Sequence, residues 1–215
     1  MQKNYSKCAV VATLFVIATL GIGCKAKEGK DSSAAGDKSP APTASPMAGH
    51  GGMMSSSPDA ANAPFDLQFI DTMTAHHQGA IDMAKTAESK AEKTELKSFA
   101  RKIVEDQQRE IAQMKEWREK WYSGRPQAMN MEMPGMMDSM KGMNMDGMKA
   151  TGADFDRMFL DMMIAHHQGA VAMAKEALNK SEHSEVKNLA QQIIDAQQKE
   201  IEMMKKWKAA WGGAK

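Results

Sequence analysis

The chain has 215 residues, of which 22 are methionine, a residue that is not among the common ones in globular domains. Its 28 Lys and Arg residues nearly balance 27 Asp and Glu residues, so the formal net charge is only +1. A nearly neutral chain without clusters of basic and aromatic residues lacks the electrostatic footprint of a nucleic-acid-binding protein. The length suits one or two small domains.

The amino terminus has the pattern of an export signal. Lys3 and Lys7 precede an apolar run over residues 9–20, and the small residues before Cys24 are typical of a bacterial lipoprotein cleavage site. We expect a signal peptide over residues 1–23, lipid attachment at Cys24, and a protein of the periplasm or outer envelope that contacts a membrane only through that lipid. Ordinary secretion and an uncleaved anchor are the alternatives, although the run is shorter than the roughly 20 residues that span a bilayer.

Cysteine content restricts the chemistry of the mature chain. Cleavage leaves Cys24 as its one cysteine, so neither an intrachain disulfide nor a cage of thiolates can form. A metal site therefore has to use His, Met and carboxylate side chains. Residues 24–62 are rich in Lys, Ser, Ala, Gly and Pro, and this composition predicts a flexible tether.

An internal repeat with an offset of 90 residues dominates the remaining chain. The segment Phe69–Ala80 returns as Phe159–Ala170, and later glutamines, methionines and tryptophans recur at the same offset. Each copy has helical periodicity on both sides of a short polar break. We predict helical hairpins over residues 64–122 and 154–211, packed as an all-α four-helix bundle either within one chain or across a homodimer.

A methionine-rich linker separates the two predicted hairpins. Residues 123–153 include nine methionines between positions 129 and 148, with Gly, Asn, Asp and Pro between them. The segment lacks helical periodicity, so we expect it to be mobile. It would either exchange soft metal ions or act only as a spacer.

A pair of histidines is the candidate site in each repeat. On a helical wheel His76 and His77 flank Met73 on the face that points into the bundle, while Asp71 and Asp82 fall on the face toward water. Adjacent buried imidazoles need partners for four ring nitrogens, which argues for ligands over ordinary core residues, although single methionines often only fill space. The predicted metal ligands are Met73, His76, His77, Met83 and Met114, and in the second repeat Met163, His166, His167, Met173 and Met204.

The second helix of each hairpin adds polar residues at the level of the histidines. Gln107 and Glu110 are the polar members of an otherwise apolar stripe, and Gln197 and Glu200 are their equivalents. We expect all four to orient the histidine N–H groups rather than to bind metal directly.

Ligand softness favours copper. Di-iron and di-manganese bundles use Glu-x-x-His motifs, whereas Met73 and Met163 stand three residues before the first histidine of each pair. Thioethers select Cu(I) and imidazole suits copper in either oxidation state, so we expect Cu(I), with Cu(II) or silver as alternatives. A ferritin-like metal oxidase and a metal-free helical module that binds a partner protein are the competing functions.

The pattern Met-x-x-His-His-x-x-Ala-x-x-Met-Ala, followed by Gln-x-x-Glu-Ile-x-x-Met and a Trp, resembles a bacterial family catalogued as a domain of unknown function. Its ferritin-like four-helix domains include CopM-like periplasmic copper-binding proteins. The resemblance covers both predicted hairpins. It implies copper binding and copper tolerance in the cell envelope. We expect a protein that sequesters or relays copper and is not an enzyme, and any copper-transfer partner stays open. The ligands that the resemblance implies are Met73, His76, His77 and Met83, with Met163, His166, His167 and Met173.

Overall fold

The computed structural model describes residues 55–141 and 149–211, and these residues form helices and no strands. The predicted signal peptide, Cys24 and most of the predicted tether lie outside the described residues. None of the helices in the two described ranges has the length and apolar character that crossing a membrane requires. The helices are α1 (Phe65–Lys90), α2 (Thr94–Tyr122), α3 (Met136–Lys141), α4 (Gly152–Lys180) and α5 (Ser184–Trp211), and a 3-10 turn at Ala60–Asn62 precedes α1.

The repeat folds into two hairpins whose first helices meet. α1 packs against α2 and α4 packs against α5, because each second helix carries one apolar stripe of residues spaced three or four apart. α1 also packs against α4, so the hairpins pair within one chain. The described part of the chain is therefore all-helical, as predicted.

A buried aspartate of the second hairpin caps the turn of the first. Asp156, near the start of α4, accepts hydrogen bonds from the backbone N–H groups of Glu92 and Lys93, each at 2.9 Å. These N–H groups lie at the start of α2, where the N-cap residue Lys93 makes no side-chain cap of its own. Glu92 and Lys93 lie just before Thr94, the first residue of α2, where backbone N–H groups have no intrahelical partner, so Asp156 supplies the acceptor for the turn that leads into α2.

A buried aspartate of the first hairpin makes the equivalent contact with the turn of the second hairpin. Asp66, which lies 90 residues before Asp156, accepts the N–H groups of Glu182 and His183 at 3.1 and 2.9 Å. The Nδ1 atom of His183 also lies 2.6 Å from this carboxylate, and its ring stacks on Trp121 at 3.8 Å between centroids. Each hairpin thus holds the turn of the other, and α1 runs antiparallel to α4.

Part of the predicted mobile linker is packed against the helices. The backbone N–H of Ala128 donates to Asp71, whose other oxygen accepts from Arg118 at 2.8 Å, and the N–H of Asn130 donates to the Thr72 hydroxyl. The prediction that Asp71 faces water was therefore wrong. A helical wheel shows only which residues face the other long helices. It does not show that the linker covers the opposite face of α1, where Asp71 lies.

We call residues 128–141 the strap. Met131, Met133 and Met136 of the strap are buried in the hydrophobic core, so these methionines do not belong to a mobile spacer. The end of the predicted tether is also packed, because the hydroxyl of Ser57 accepts the N–H of Met129 at 3.2 Å. Hydrogen bonds and apolar burial together compensate the entropy of ordering the strap, which composition alone does not predict.

We predict that the exchanged aspartate contacts stabilise the fold. Asp156→Asn replaces one acceptor oxygen by an N–H donor, so we expect the free energy of unfolding to fall by about 1.5–3 kcal/mol, as for hydrogen bonds to charged groups. Urea denaturation followed by circular dichroism measures the change. Asp154→Asn, two residues earlier and solvent-exposed, is the matched control and should change stability by less than about 0.5 kcal/mol. Equal effects of the two substitutions would contradict the capping role.

Candidate metal site

Four histidines meet where α1 crosses α4. His76, His77, His166 and His167 are all buried, with no side chain more than 2% exposed. The rings of His76 and His166 lie 3.7 Å apart between centroids, so these two face each other across the seam between the hairpins. Their neighbours in sequence lie 6.3 and 6.5 Å from them, because successive residues of a helix diverge by about 100°.

The second histidine of each pair points toward the partner helix of its own hairpin. His77 Nε2 lies 2.6 Å from Glu110 Oε2 of α2, and His167 Nε2 lies 2.9 Å from Glu200 Oε2 of α5. The structure thus places both glutamates where they orient an imidazole. A carboxylate can only accept, so each imidazole donates from Nε2, and in the form of the ring that binds metal ions the lone pair is on Nδ1.

The strap orients a third histidine. The Ser139 hydroxyl donates to the carbonyl of Gly135 at 2.7 Å, and His76 Nε2 lies 2.9 Å from the same hydroxyl oxygen. Because the single hydroxyl proton is used on Gly135, His76 donates from Nε2 and its lone pair is again on Nδ1. Ser139 was not among the residues predicted from the sequence, since the linker does not repeat and carries no periodic signal.

Five buried ring nitrogens have no hydrogen-bond partner within the described ranges. They are Nδ1 of His76, His77 and His167, and both ring nitrogens of His166. Polar atoms without a partner are rare in protein interiors, and a buried group of this kind often binds an ion or a water molecule. Three rings therefore offer the same atom, Nδ1, as a free donor to a metal ion, and His166 offers either atom.

Burial keeps the facing histidines uncharged. Desolvation, reinforced by the neighbouring imidazoles, holds the pKa of His76 well below its usual value. Desolvation likewise lowers the pKa of His166 well below its usual value, with His167 and His77 acting in the same direction and the backbone of His76 acting in the opposite one. Both rings are consequently neutral at pH 7, which is the form that binds metal ions.

The predicted methionine ligands are buried, at different distances along the helices. Met73 and Met163 lie one turn before the histidines on the same face and are fully buried. Met114 and Met204 follow Glu110 and Glu200 by one turn and are also fully buried.

Met83 and Met173 are buried as well, but they lie further from the histidines. Each follows the first histidine of its repeat by seven residues. At the rise of an α-helix this separation is about 10 Å along the axis. The two methionines therefore lie further from the ring level than Met73 and Met163 do.

The glutamines behave differently from the glutamates. Gln107 and Gln197 are buried, but their Oε1 atoms have no partner among the described residues and do not hold a histidine. They line a cavity of about 430 Å³ between α2 and α5 together with Glu110 and Glu200. Glu110 and Glu200, which lie within hydrogen-bond distance of His77 and His167, therefore form part of the wall of this cavity.

Histidine and carboxylate side chains alone do not form a recognisable metal cage here. Over residues 55–141 and 149–211, no group of three or more His, Cys, Asp or Glu side chains is arranged to hold a metal ion. The donors that the structure gathers are imidazole nitrogens with thioethers one turn away.

Comparison with known proteins identifies one family. The model of DUF305, a domain of unknown function, matches residues 23–118 and again residues 66–208. None of the curated proteins matches the chain.

Similar solved structures include CopM with metal ions bound. The Cu(I)-bound form is 42% identical, covers 69% of this chain and 98% of that chain, and has a TM-score of 0.59. The Cu(II)-bound form is 44% identical, with 68% and 97% covered and a TM-score of 0.59, and CopM also has an Ag-bound form with a TM-score of 0.58. A DUF305 protein from Streptomyces coelicolor, whose name places it among secreted proteins, is 26% identical, with 69% and 93% covered and a TM-score of 0.61.

We predict that His166 lowers the free energy of unfolding of the metal-free protein relative to an apolar residue of similar size. In His166→Leu a buried ring with two unpartnered nitrogens disappears, so the free energy of unfolding should stay constant or rise by up to about 3 kcal/mol. The matched variant His167→Leu leaves the Glu200 carboxylate without its imidazole and should lower the same quantity by about 1–3 kcal/mol. Urea denaturation in the presence of a chelator compares them. Equal destabilisation by the two changes would show that His166 is an ordinary core residue.

Proposed function

The chain belongs to the DUF305 family, as its sequence motif predicted, and on that basis we propose that it is a copper-binding protein of the cell envelope that sequesters or relays copper. The structurally similar CopM, which has been solved with copper and silver bound, supports the choice of metal. The observation that carries the proposal is the set of five unpartnered ring nitrogens in one buried cluster.

The proposed ligands are the four histidines and the nearest methionines. His76 and His166 lie 3.7 Å apart between ring centroids, so both rings are close enough to share an ion in the seam once they turn their in-plane lone pairs toward it. Met73 and Met163 supply thioethers from the same helix faces, and Met114 and Met204 supply them from the second helices. We assign Met83 and Met173 a secondary part, because they lie two turns away from the rings. Glu110 and Glu200 act through His77 and His167, while Gln107 and Gln197 border the approach from solvent.

Cu(I) is the ion that this donor set suits best. Imidazole binds copper in both oxidation states, whereas thioethers favour the soft monovalent ions Cu(I) and Ag(I). A site without thiolates also avoids disulfide formation in an oxidising compartment. Cu(II) would be accepted mainly through the imidazoles, and zinc in closed sites commonly uses thiolates that the mature chain does not provide.

The architecture fits such a role in the envelope. We propose that the four long helices form a ferritin-like four-helix bundle, with copper held in the seam between α1 and α4. Lipid attachment at Cys24 would fix the bundle to a membrane surface through residues 25–54. The cavity between α2 and α5 would admit the ion, since the carboxylates of Glu110 and Glu200 at its wall attract cations.

We propose binding without catalysis. Each glutamate is engaged by a histidine through Oε2, and Oε1 of Glu200 also lies 3.4 Å from the Lys102 ammonium, so the cluster does not present the several unengaged carboxylates that a di-iron site uses. Oxygen consumption by the iron-loaded protein, measured with an oxygen electrode, would contradict this part of the proposal.

We predict that copper binding depends on the histidine cluster. The variant with His76, His77, His166 and His167 all changed to Ala should lose the high-affinity Cu(I) that the mature protein binds in an anaerobic titration against a competing chelator. His183→Asn is the control, because His183 lies at the α4–α5 turn and not in the cluster, and the asparagine amide keeps a donor for Asp66. Circular dichroism confirms that both variants fold. Unchanged stoichiometry and affinity in the fourfold variant would overturn the site assignment.

A further inference from the structure

The strap reaches the histidine cluster on one side only. Ser139 of α3 is buried, and its hydroxyl oxygen lies 2.9 Å from His76 Nε2. His166, the equivalent of His76 in the second repeat, has no partner for either ring nitrogen in the described part of the chain. Two histidines that the repeat makes equivalent are thus held differently, because a segment that does not repeat contacts one of them.

α3 is docked on α4 at very short distance. A Cβ atom at Gly135 would lie 2.5 Å from the carbonyl oxygen of Gly169, and one at Gly169 would overlap the hydroxyl of Ser139. Gly135 also has a φ of +81°, which favours glycine. Because Gly169 follows His166 by one helical turn, α3 crosses α4 directly beside the facing histidines.

Two adjacent methionines of α3 have opposite environments. Met136 precedes Ser139 by three residues, shares its helix face and is only 2% exposed. Met137 is 53% exposed and faces solvent. The contact of α3 with the cluster therefore brings one thioether inward, within a turn of the serine that touches His76.

We propose that α3 completes the copper site, with Met136 as a thioether ligand on the His76–His166 side and Ser139 as a positioning residue that holds the His76 lone pair on Nδ1. This inference rests on the proposed copper-binding function. It assigns one linker methionine to the buried site, whereas composition suggested only a loose ion-exchanging segment or a spacer.

Met136→Leu and Met137→Leu form a matched pair for the ligand. Both substitutions remove one thioether at nearly constant volume, so the fold should be retained. In an anaerobic titration with a competing chelator we expect Met136→Leu to bind Cu(I) about tenfold more weakly than wild type. Its affinity for Ag(I) should fall similarly and that for Cu(II) much less, because the lost donor is soft. Met137→Leu should bind all three ions as wild type does.

The outcomes separate this inference from the function on which it rests. If wild type binds Cu(I) and the two variants bind equally well, Met136 is not a ligand and the inference fails, while the copper function stands. If wild type itself does not bind Cu(I), both fail. A loss in Met136→Leu that is equal for Cu(I) and Cu(II) would show a structural effect and would also overturn the ligand assignment.

Ser139→Ala tests the positioning role. Long-range ¹H–¹⁵N spectra of the metal-free protein should show the His76 proton on Nε2 in wild type and a mixture of tautomers in the variant. Cu(I) affinity should fall about tenfold, as for other residues that orient a metal ligand. Ser123→Ala, which removes an exposed hydroxyl bonded to Glu119, is the control. An unchanged tautomer or an unchanged affinity would overturn this role for Ser139.

Discussion

Two buried carboxylates, Asp66 and Asp156, fix the alignment on which the rest of the structure depends. Each accepts the N–H groups at the turn of the opposite hairpin, so α1 and α4 are tied together at both ends. A buried carboxylate costs free energy unless it is hydrogen-bonded, and a shift of either helix by one turn would leave both without partners. Each aspartate precedes the first histidine of its repeat by ten residues, so this alignment brings His76 against His166.

The seam held in this way contains groups that the fold alone does not need. Phenylalanine, alanine and methionine fill most of it, whereas the imidazoles bring unpartnered nitrogens that each cost about 1–3 kcal/mol when buried. Apolar residues of similar volume would pack there without that cost. This polar cluster lowers the stability of the metal-free protein and occurs in both hairpins. Both properties are typical of a binding site within a hydrophobic core. Copper would then stabilise the helical fold by binding only the folded state.

The helices, and the contacts across each hairpin, could be predicted from the local periodicity of the sequence. Helix geometry determines which residues share a face, and a short turn determines which residues meet across a hairpin, so the pairing of His77 with Glu110 could be expected. The unrepeated linker obeys neither rule. The linker contacts Asp71 and His76 through residues that follow no helical periodicity, so helical wheels could not predict these contacts. Ser139 was missed for the same reason, although Gly169 beside it marks a close approach of two backbones.

In the proposed site, imidazole nitrogen and methionine sulfur bind copper together inside the seam between the hairpins. X-ray absorption spectroscopy at the copper edge, on the mature protein loaded with one equivalent of Cu(I), observes the bound atoms directly. We predict a coordination sphere that contains both sulfur and the nitrogen of imidazole rings, whose outer atoms give a distinct multiple-scattering signal. Coordination by oxygen and nitrogen without sulfur, or by sulfur without imidazole, would contradict this assignment of the ligands.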